Sequence, residues 1–263
     1  MKDKEAMTEM QRDFVAKMKE YAVEFAEHID KSDIQAVLLS GSVARGDFYP
    51  GEYGGMIDLV IMKKSGHCFD AEKILGKDEE PDIPYHCVRR NFYGSEICFE
   101  IDVRDFVSAE QFEQLDESRK FSIIESEIIY DAGNLYRNEF QKILLLKDKE
   151  LHILFDSTLQ GIDWMLSPYT TDKWFRRQAF VQMHWNLNSA VRMGVKCLYY
   201  KNGSYVPPEN RMLYYTYTLE KLPEQYSRLI AALFRQNIES YADYKRREKL
   251  FCKQFLGFLR TNQ

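Results

Sequence analysis

Between Ser95 and Phe106 the sequence SEICFEIDVRDF alternates: Ile97, Phe99, Ile101 and Val103 are apolar, and Cys98, Glu100 and Asp102 fall between them. Period two is the mark of a β-strand with one buried face and one face left to polar contacts. A lone strand or hairpin is barely stable in water, so the chain must supply a sheet around it. Partners lie close by in sequence. Ile34 to Ser42 (IQAVLLSGS) is a short apolar run ending in small residues, and Met56 to Met62 (MIDLVIM) reads as a second strand. YHCVRR and SEICFEIDVRDF form a hairpin about Asn91–Gly94, and EIIYD, Glu127 to Asp131, supplies a last short strand.

The rest of the chain follows a helical period. Residues 4–31 form an amphipathic helix, with Phe14, Met18, Tyr21, Phe25 and His28 at steps of three and four. From about Leu144 onward the helical spacing dominates, with helices expected at 147–166, 172–200, 208–221, 224–237 and 239–260. YYKNGSYVPPENR, Tyr199 to Arg211, interrupts them with Asn-Gly and Pro-Pro turn chemistry. Two domains are therefore expected, an α/β half over 1–145 and a helical half over 146–263.

Composition narrows the partners. The net charge is -5, which argues against the basic surface that long nucleic acid requires. No apolar run approaches the roughly 20 residues of a membrane span, and the first residues, MKDKEAMTEMQRDF, lack the apolar core of a secretory signal. Five scattered cysteines do not make a disulfide framework. The expectation is a cytoplasmic protein with a small-molecule or protein partner and no membrane contact.

Chemistry is concentrated in LLSGSVARGD and in the two carboxylate-bearing strands beyond it. Gly41 and Ser42 come directly after a strand, where glycine lets backbone N–H groups approach a phosphate and serine adds a hydroxyl. A helix beginning near Val43 favours an anion at its N-terminus, and Arg45 adds charge there. Asp58 lies between Ile57 and Leu59 and faces the other way, placed to hold Mg²⁺ against a triphosphate. Glu100 and Asp102 share one face of the later strand, and either can join Asp58 as metal ligand or base.

Gly41-Ser42, Ala44-Arg45-Gly46 and Ile57-Asp58-Leu59 resemble the nucleotidyltransferase superfamily of DNA polymerase beta and the aminoglycoside nucleotidyltransferases. The resemblance implies an α+β fold, a mixed sheet with flanking helices, followed by an α-helical bundle. It implies transfer of a nucleoside monophosphate from a nucleoside triphosphate, with ATP expected, to a hydroxyl of a small, antibiotic-like acceptor. Gly41, Ser42 and Arg45 would bind the triphosphate. Asp58 and Asp102 would be catalytic and would hold Mg²⁺ or Mn²⁺, with Glu100 as a further metal ligand. One departure stands out. The family carries two acidic residues one position apart, and the first position here is Met56. A thioether offers Mg²⁺ no oxygen, and a two-metal site relies on carboxylates spanning ions about 4 Å apart. Asp47, Glu52 and Glu100 are the candidate replacements. The alternative reading is a catalytically silent relative that binds nucleotide or a protein partner.

Other signals carry less. His67-Cys68 and His86-Cys87 are spaced poorly for zinc. Arg177 and His184 resemble the RNA-cleaving motif of HEPN helical domains if they share a helix face, but such a pair arises easily by chance, and a helix packing His184 and Trp185 into an interdomain contact is the preferred account. Tyr199, Tyr200, Tyr205, Tyr214, Tyr215 and Tyr217 either line an acceptor pocket or build the helical core, and Glu209 is a nearby candidate base.

Overall fold

Alternating and helical patterns each find the environment they call for. The computed structural model describes residues 9–47, 56–64, 66–67, 70–76, 85–92 and 94–261. It is an α+β chain with a five-stranded mixed sheet and many helices. The chain divides into two compact units, Lys4–Leu145 and Leu146–Gln263.

In the first unit the strands are β1 (Ile34–Leu39), β2 (Met56–Lys63), β3 (His86–Phe92), β4 (Ser95–Asp105) and β5 (Glu127–Asp131). Their order across the sheet is β3-β4-β2-β1-β5. β2 and β4 run parallel and the other neighbours antiparallel. One face is closed by α1 (Glu9–His28), whose Val15, Met18, Tyr21, Ala22 and Phe25 pack on Ile57, Leu59, Ile61, Phe99 and Ile101. Phe25 stacks on Phe99 with ring centroids 4.3 Å apart. Each fully buried side chain of this size contributes about 1.5–3 kcal/mol. His28 departs from the expected apolar stripe: it is exposed, and its Nδ1 lies 2.7 Å from the Glu24 carbonyl oxygen.

The opposite face has a smaller core of Ala36, Leu38, Val60, Met62 and Tyr136, with Phe106 and Phe140 against it. Tyr136 and Phe140 come from α6 (Leu135–Leu166). This helix begins twelve residues before the expected start at 147, and the division between the units falls inside it. Short helices α2 (Gly41–Arg45), α3 (Ala71–Leu75), α4 (Ala109–Glu113) and α5 (Glu117–Ile124) complete the unit. The last three were not anticipated, although the caps of α4 and α5 are legible. Ser108 and Gln111 form a capping box, and Asp116 accepts the Arg119 N–H at 3.0 Å.

The second unit contains the remainder of α6 with α7 (Pro168–Phe175), α8 (Phe180–Lys201), α9 (Glu209–Tyr215), α10 (Tyr226–Phe234), α11 (Tyr241–Leu250) and α12 (Gly257–Arg260). Between α11 and α12, Phe251–Leu256 is a π-helical segment. The single helix expected over 172–200 is two, broken where Gln178 takes φ +54°. No glycine or proline marks that break, so the helical period ran through it unseen. A Cβ on Gly194 would touch the rings of Phe251 and Phe255 at 3.0 Å, so its absence lets α8 meet the π-helical segment closely. No helix of the described residues is long and apolar enough to cross a membrane.

Candidate functional site

The phosphate-loop signature and the downstream carboxylate meet. Leu39 is paired with Leu59, and just beyond that pair the Ser40 N–H donates to the Asp58 carbonyl oxygen at 2.9 Å. Gly41 then turns with φ +66°. A Cβ built on it would fall 1.7 Å from Asp58 Oδ2 and 2.6 Å from Asp58 Cγ. Only glycine fits, on grounds of both space and backbone conformation. The Asp58 carboxylate therefore lies directly against the Gly41 backbone.

The turn is held from several sides. Gly46, with φ +79°, ends α2, and the Asp47 N–H donates to the Ser42 carbonyl at 3.0 Å. Lys19 of α1 donates to the Ala44 carbonyl at 3.3 Å and also pairs with Glu127 of β5. At five residues, α2 is too short to bring the macrodipole of a full helix to an anion. Whatever attraction the turn has for phosphate must come from its own N–H groups and side chains.

The parallel register of β2 and β4 sets the second carboxylate. Asp58 is paired with Glu100, Met56 with Cys98 and Val60 with Asp102. Paired residues on neighbouring strands lie about 4.8 Å apart and face the same way. Glu100 is thus the direct neighbour of Asp58, and Asp102 comes one pair further along the same face. The Asp102 carboxylate is hydrogen-bonded to Arg104. Asp58 and Glu100 are each half-buried, and Met56 is 47% exposed. Together these residues form an acidic ledge where the apolar cover of Val60 and Met62 gives out.

Arg45 is turned into its own loop, its Nε 3.4 Å from Asp47 Oδ1. That contact also engages Asp47, one of the candidate oxygens for the place Met56 occupies. Glu52 lies outside the described residues. Among the described residues no three His, Cys, Asp or Glu side chains stand together as a ligand set. A two-ion centre bridged by shared carboxylates does not fit these donors. One hard ion held by Asp58 and Glu100, completed by phosphate oxygens and water, does fit.

Two residues here escaped the sequence reading. Arg104 continues the alternating EIDVRD pattern on the same face as Asp102, which was the signal available for it. Tyr136 is 1% exposed, and its hydroxyl is buried without a hydrogen-bond partner. Burial raises this phenol above the usual tyrosine range, while the nearby Arg104 acts against that. Nothing in the sequence distinguishes Tyr136 from the other tyrosines.

The remaining candidates fall elsewhere. Arg177 lies in the turn before α8, exposed, with its guanidinium on the Lys173 carbonyl at 3.1 Å and over the Trp174 ring. His184 is 1% exposed and bound to Arg247 and Ser240, so the two share no face and form no joint site. Trp185 is 66% exposed rather than packed away. Tyr199, Tyr200, Tyr205 and Tyr215 belong to the helical core, with the Tyr205 hydroxyl donating to Glu150 at 2.7 Å, whereas Tyr214 is exposed. Glu209 is paired with Arg192. His67 Nδ1 lies 2.7 Å from Asp33 Oδ1, and Cys68 is outside the described residues. The helical unit also carries a groove of about 630 Å³ bordered by Glu224, Arg228, Gln254 and Phe258.

No protein-family model and no curated protein matches the chain in sequence. Among solved structures, a nucleotidyltransferase-like protein from Exiguobacterium sibiricum 255-15 is similar over 94% of this chain and 75% of that one, at 9% identity and a TM-score of 0.40. A likeness at that level leaves the chemistry of the ledge to its own residues.

Proposed function

We propose that the chain is a nucleotidyltransferase-type protein that moves a nucleoside monophosphate from a nucleoside triphosphate, ATP foremost, to a hydroxyl of a small-molecule acceptor. The observation that carries this reading is the Asp58 carboxylate pressed against Gly41 with Glu100 as its strand neighbour. In this reading the Gly41–Ser42 turn receives the β- and γ-phosphates, and Arg45 supports them once it leaves Asp47. Asp58 and Glu100 would hold a single Mg²⁺ or Mn²⁺, which when bound neutralises charge on the triphosphate and on the departing pyrophosphate. Asp102, steadied by Arg104, accepts the hydrogen bond of the incoming hydroxyl and orients it. That oxygen attacks the α-phosphorus while its proton passes to Asp102, the bond from the α-phosphorus to the bridging oxygen breaks, and pyrophosphate leaves.

Two measurements test this. Isothermal titration of ATP with Mg²⁺ should show binding to the native protein and none to Asp58→Ala; no affinity for any triphosphate ends the proposal. Labelled triphosphates offered with a panel of aminoglycoside, lincosamide and protein acceptors should release pyrophosphate, and that release should vanish in Asp58→Ala. A second reading rests on Met56, which supplies no oxygen where the family has a carboxylate: a nucleotide sensor that binds without turning over. Tight triphosphate binding with no pyrophosphate release would select it.

A further inference from the structure

Two thiols stand beside the acidic ledge on adjacent strands. Cys87 of β3 is the register partner of Glu100, and Cys98 of β4 is the partner of both Arg89 and Met56. Both lie on the face that carries Asp58 and Glu100, and their Sγ atoms are 3.1 Å apart. Cys87 is buried and Cys98 half-exposed. A disulfide bond is about 2.05 Å long, about 1 Å shorter than this separation. Shared zinc explains the spacing less well. Bonds of about 2.3 Å at tetrahedral angles would part the two sulfurs by about 3.8 Å, and no third ligand completes a set among the described residues.

The surroundings favour reaction at this pair. Arg89, the register partner of Cys98, donates to Glu96 at 3.1 Å. β3 is an edge strand, and the half-exposed Cys98 is the member that a small oxidant reaches first.

We propose that Cys87 and Cys98 are an oxidation site, a dithiol that a peroxide converts reversibly into a cross-strand disulfide. The Cys98 sulfur attacks one peroxide oxygen and the O–O bond breaks, giving Cys98 sulfenic acid, and the leaving hydroxide takes up the Cys98 thiol proton as water. The Cys87 sulfur then attacks the Cys98 sulfur. The S–O bond breaks, and the leaving hydroxide takes up the Cys87 proton as a second water. Two thiols and one peroxide become one disulfide and two waters, and a dithiol reductant restores the starting state. The new bond would tie the edge strand to β4 two residues from Glu100.

The test uses the full chain, treated with hydrogen peroxide, quenched with N-ethylmaleimide and digested without reductant. The expected product is a Cys87–Cys98 linked peptide about 2 Da lighter than the two unlinked peptides together, with both thiols recovered after dithiothreitol. Cys98→Ser should abolish the link, and Cys87→Ser should arrest at a Cys98 sulfenic acid that dimedone traps. Cys197, whose thiol burial pushes up to about 12, should stay unoxidised. Cys98 running on to sulfinic acid in the native chain without a link would overturn the proposal. So would oxidation of Cys252 while Cys87 and Cys98 remain thiols. Should Cys87→Ser fail to fold, the native peptide map and Cys98→Ser, at the half-exposed position, decide the matter.

Discussion

Arg247 in the helical unit and Asp58 in the sheet unit both hold charge against backbone, but in different company. Arg247 is fully buried. Its Nε donates to the Leu233 carbonyl at 2.7 Å, and its Nη groups donate to His184 Nδ1, Gln236 and Asn188. A guanidinium can only donate, so His184 accepts at Nδ1, and its Nε2–H faces the Ser240 carbonyl at 3.1 Å. Four of its five N–H groups meet acceptors, and this filled ring ties α8 to α11. Asp58 instead shares a half-exposed face with Glu100 and Met56, and the turn beside it carries no side chain at Gly41. The difference is between a charged group enclosed by protein acceptors and one placed on a half-exposed face.

The largest effect should come from breaking the filled ring. Arg247→Ala leaves several buried acceptors unsatisfied and should lower stability by about 3–5 kcal/mol in urea denaturation. Arg247→Lys should recover little, because one ammonium cannot reach the same set of acceptors. If Arg247→Ala kept native stability yet lost nucleotide binding, the contrast between the two regions would be wrong. Next comes Gly41→Ala, which should cost about 1–3 kcal/mol through backbone strain and abolish triphosphate binding by pushing the Asp58 carboxylate away.

A finer test lies within the ledge. Glu100→Gln should change stability by no more than about 0.5 kcal/mol and reduce pyrophosphate release by about 100-fold, the scale of losing one electrostatic group at a reacting centre. Asp102→Asn should reduce it less. The reverse order would restore Asp102 as the principal partner of Asp58 and count against the register argument. The smallest expected effect is a gain. Met56→Asp should tighten Mg²⁺-dependent triphosphate binding about tenfold, or about 1.4 kcal/mol, and an unchanged affinity would mean that this position does not face the ion.

These contrasts also mark what was legible from residue order. Five strands could be read because alternation and turn residues are local signals, and EIDVRDF declared its two faces outright. The Gly-Ser turn and Asp58 were legible as a spaced pair. Which of Glu100 and Asp102 is paired directly with Asp58 was not, since it depends on a parallel register set by distant hydrogen bonds. The break at Gln178 was hidden because a helical period continues through it without glycine or proline. Arg177 and His184 share a helix face only on paper; the turn between them sends one to solvent and the other into the core. The Cys87–Cys98 approach was likewise unreadable, because it needs the hairpin register rather than either cysteine's neighbours.

The contact between Gly41 and Asp58 constrains the order in which this sequence can change. Alanine at 41 is blocked while aspartate occupies 58, and a smaller residue at 58 relieves the crowding but leaves the positive φ. In a library selected for folding alone, position 58 should therefore drift freely and position 41 should remain glycine. In a library selected for triphosphate binding, both should stay fixed. Comparing the two libraries would separate the demands of the turn from those of the ligand, position by position.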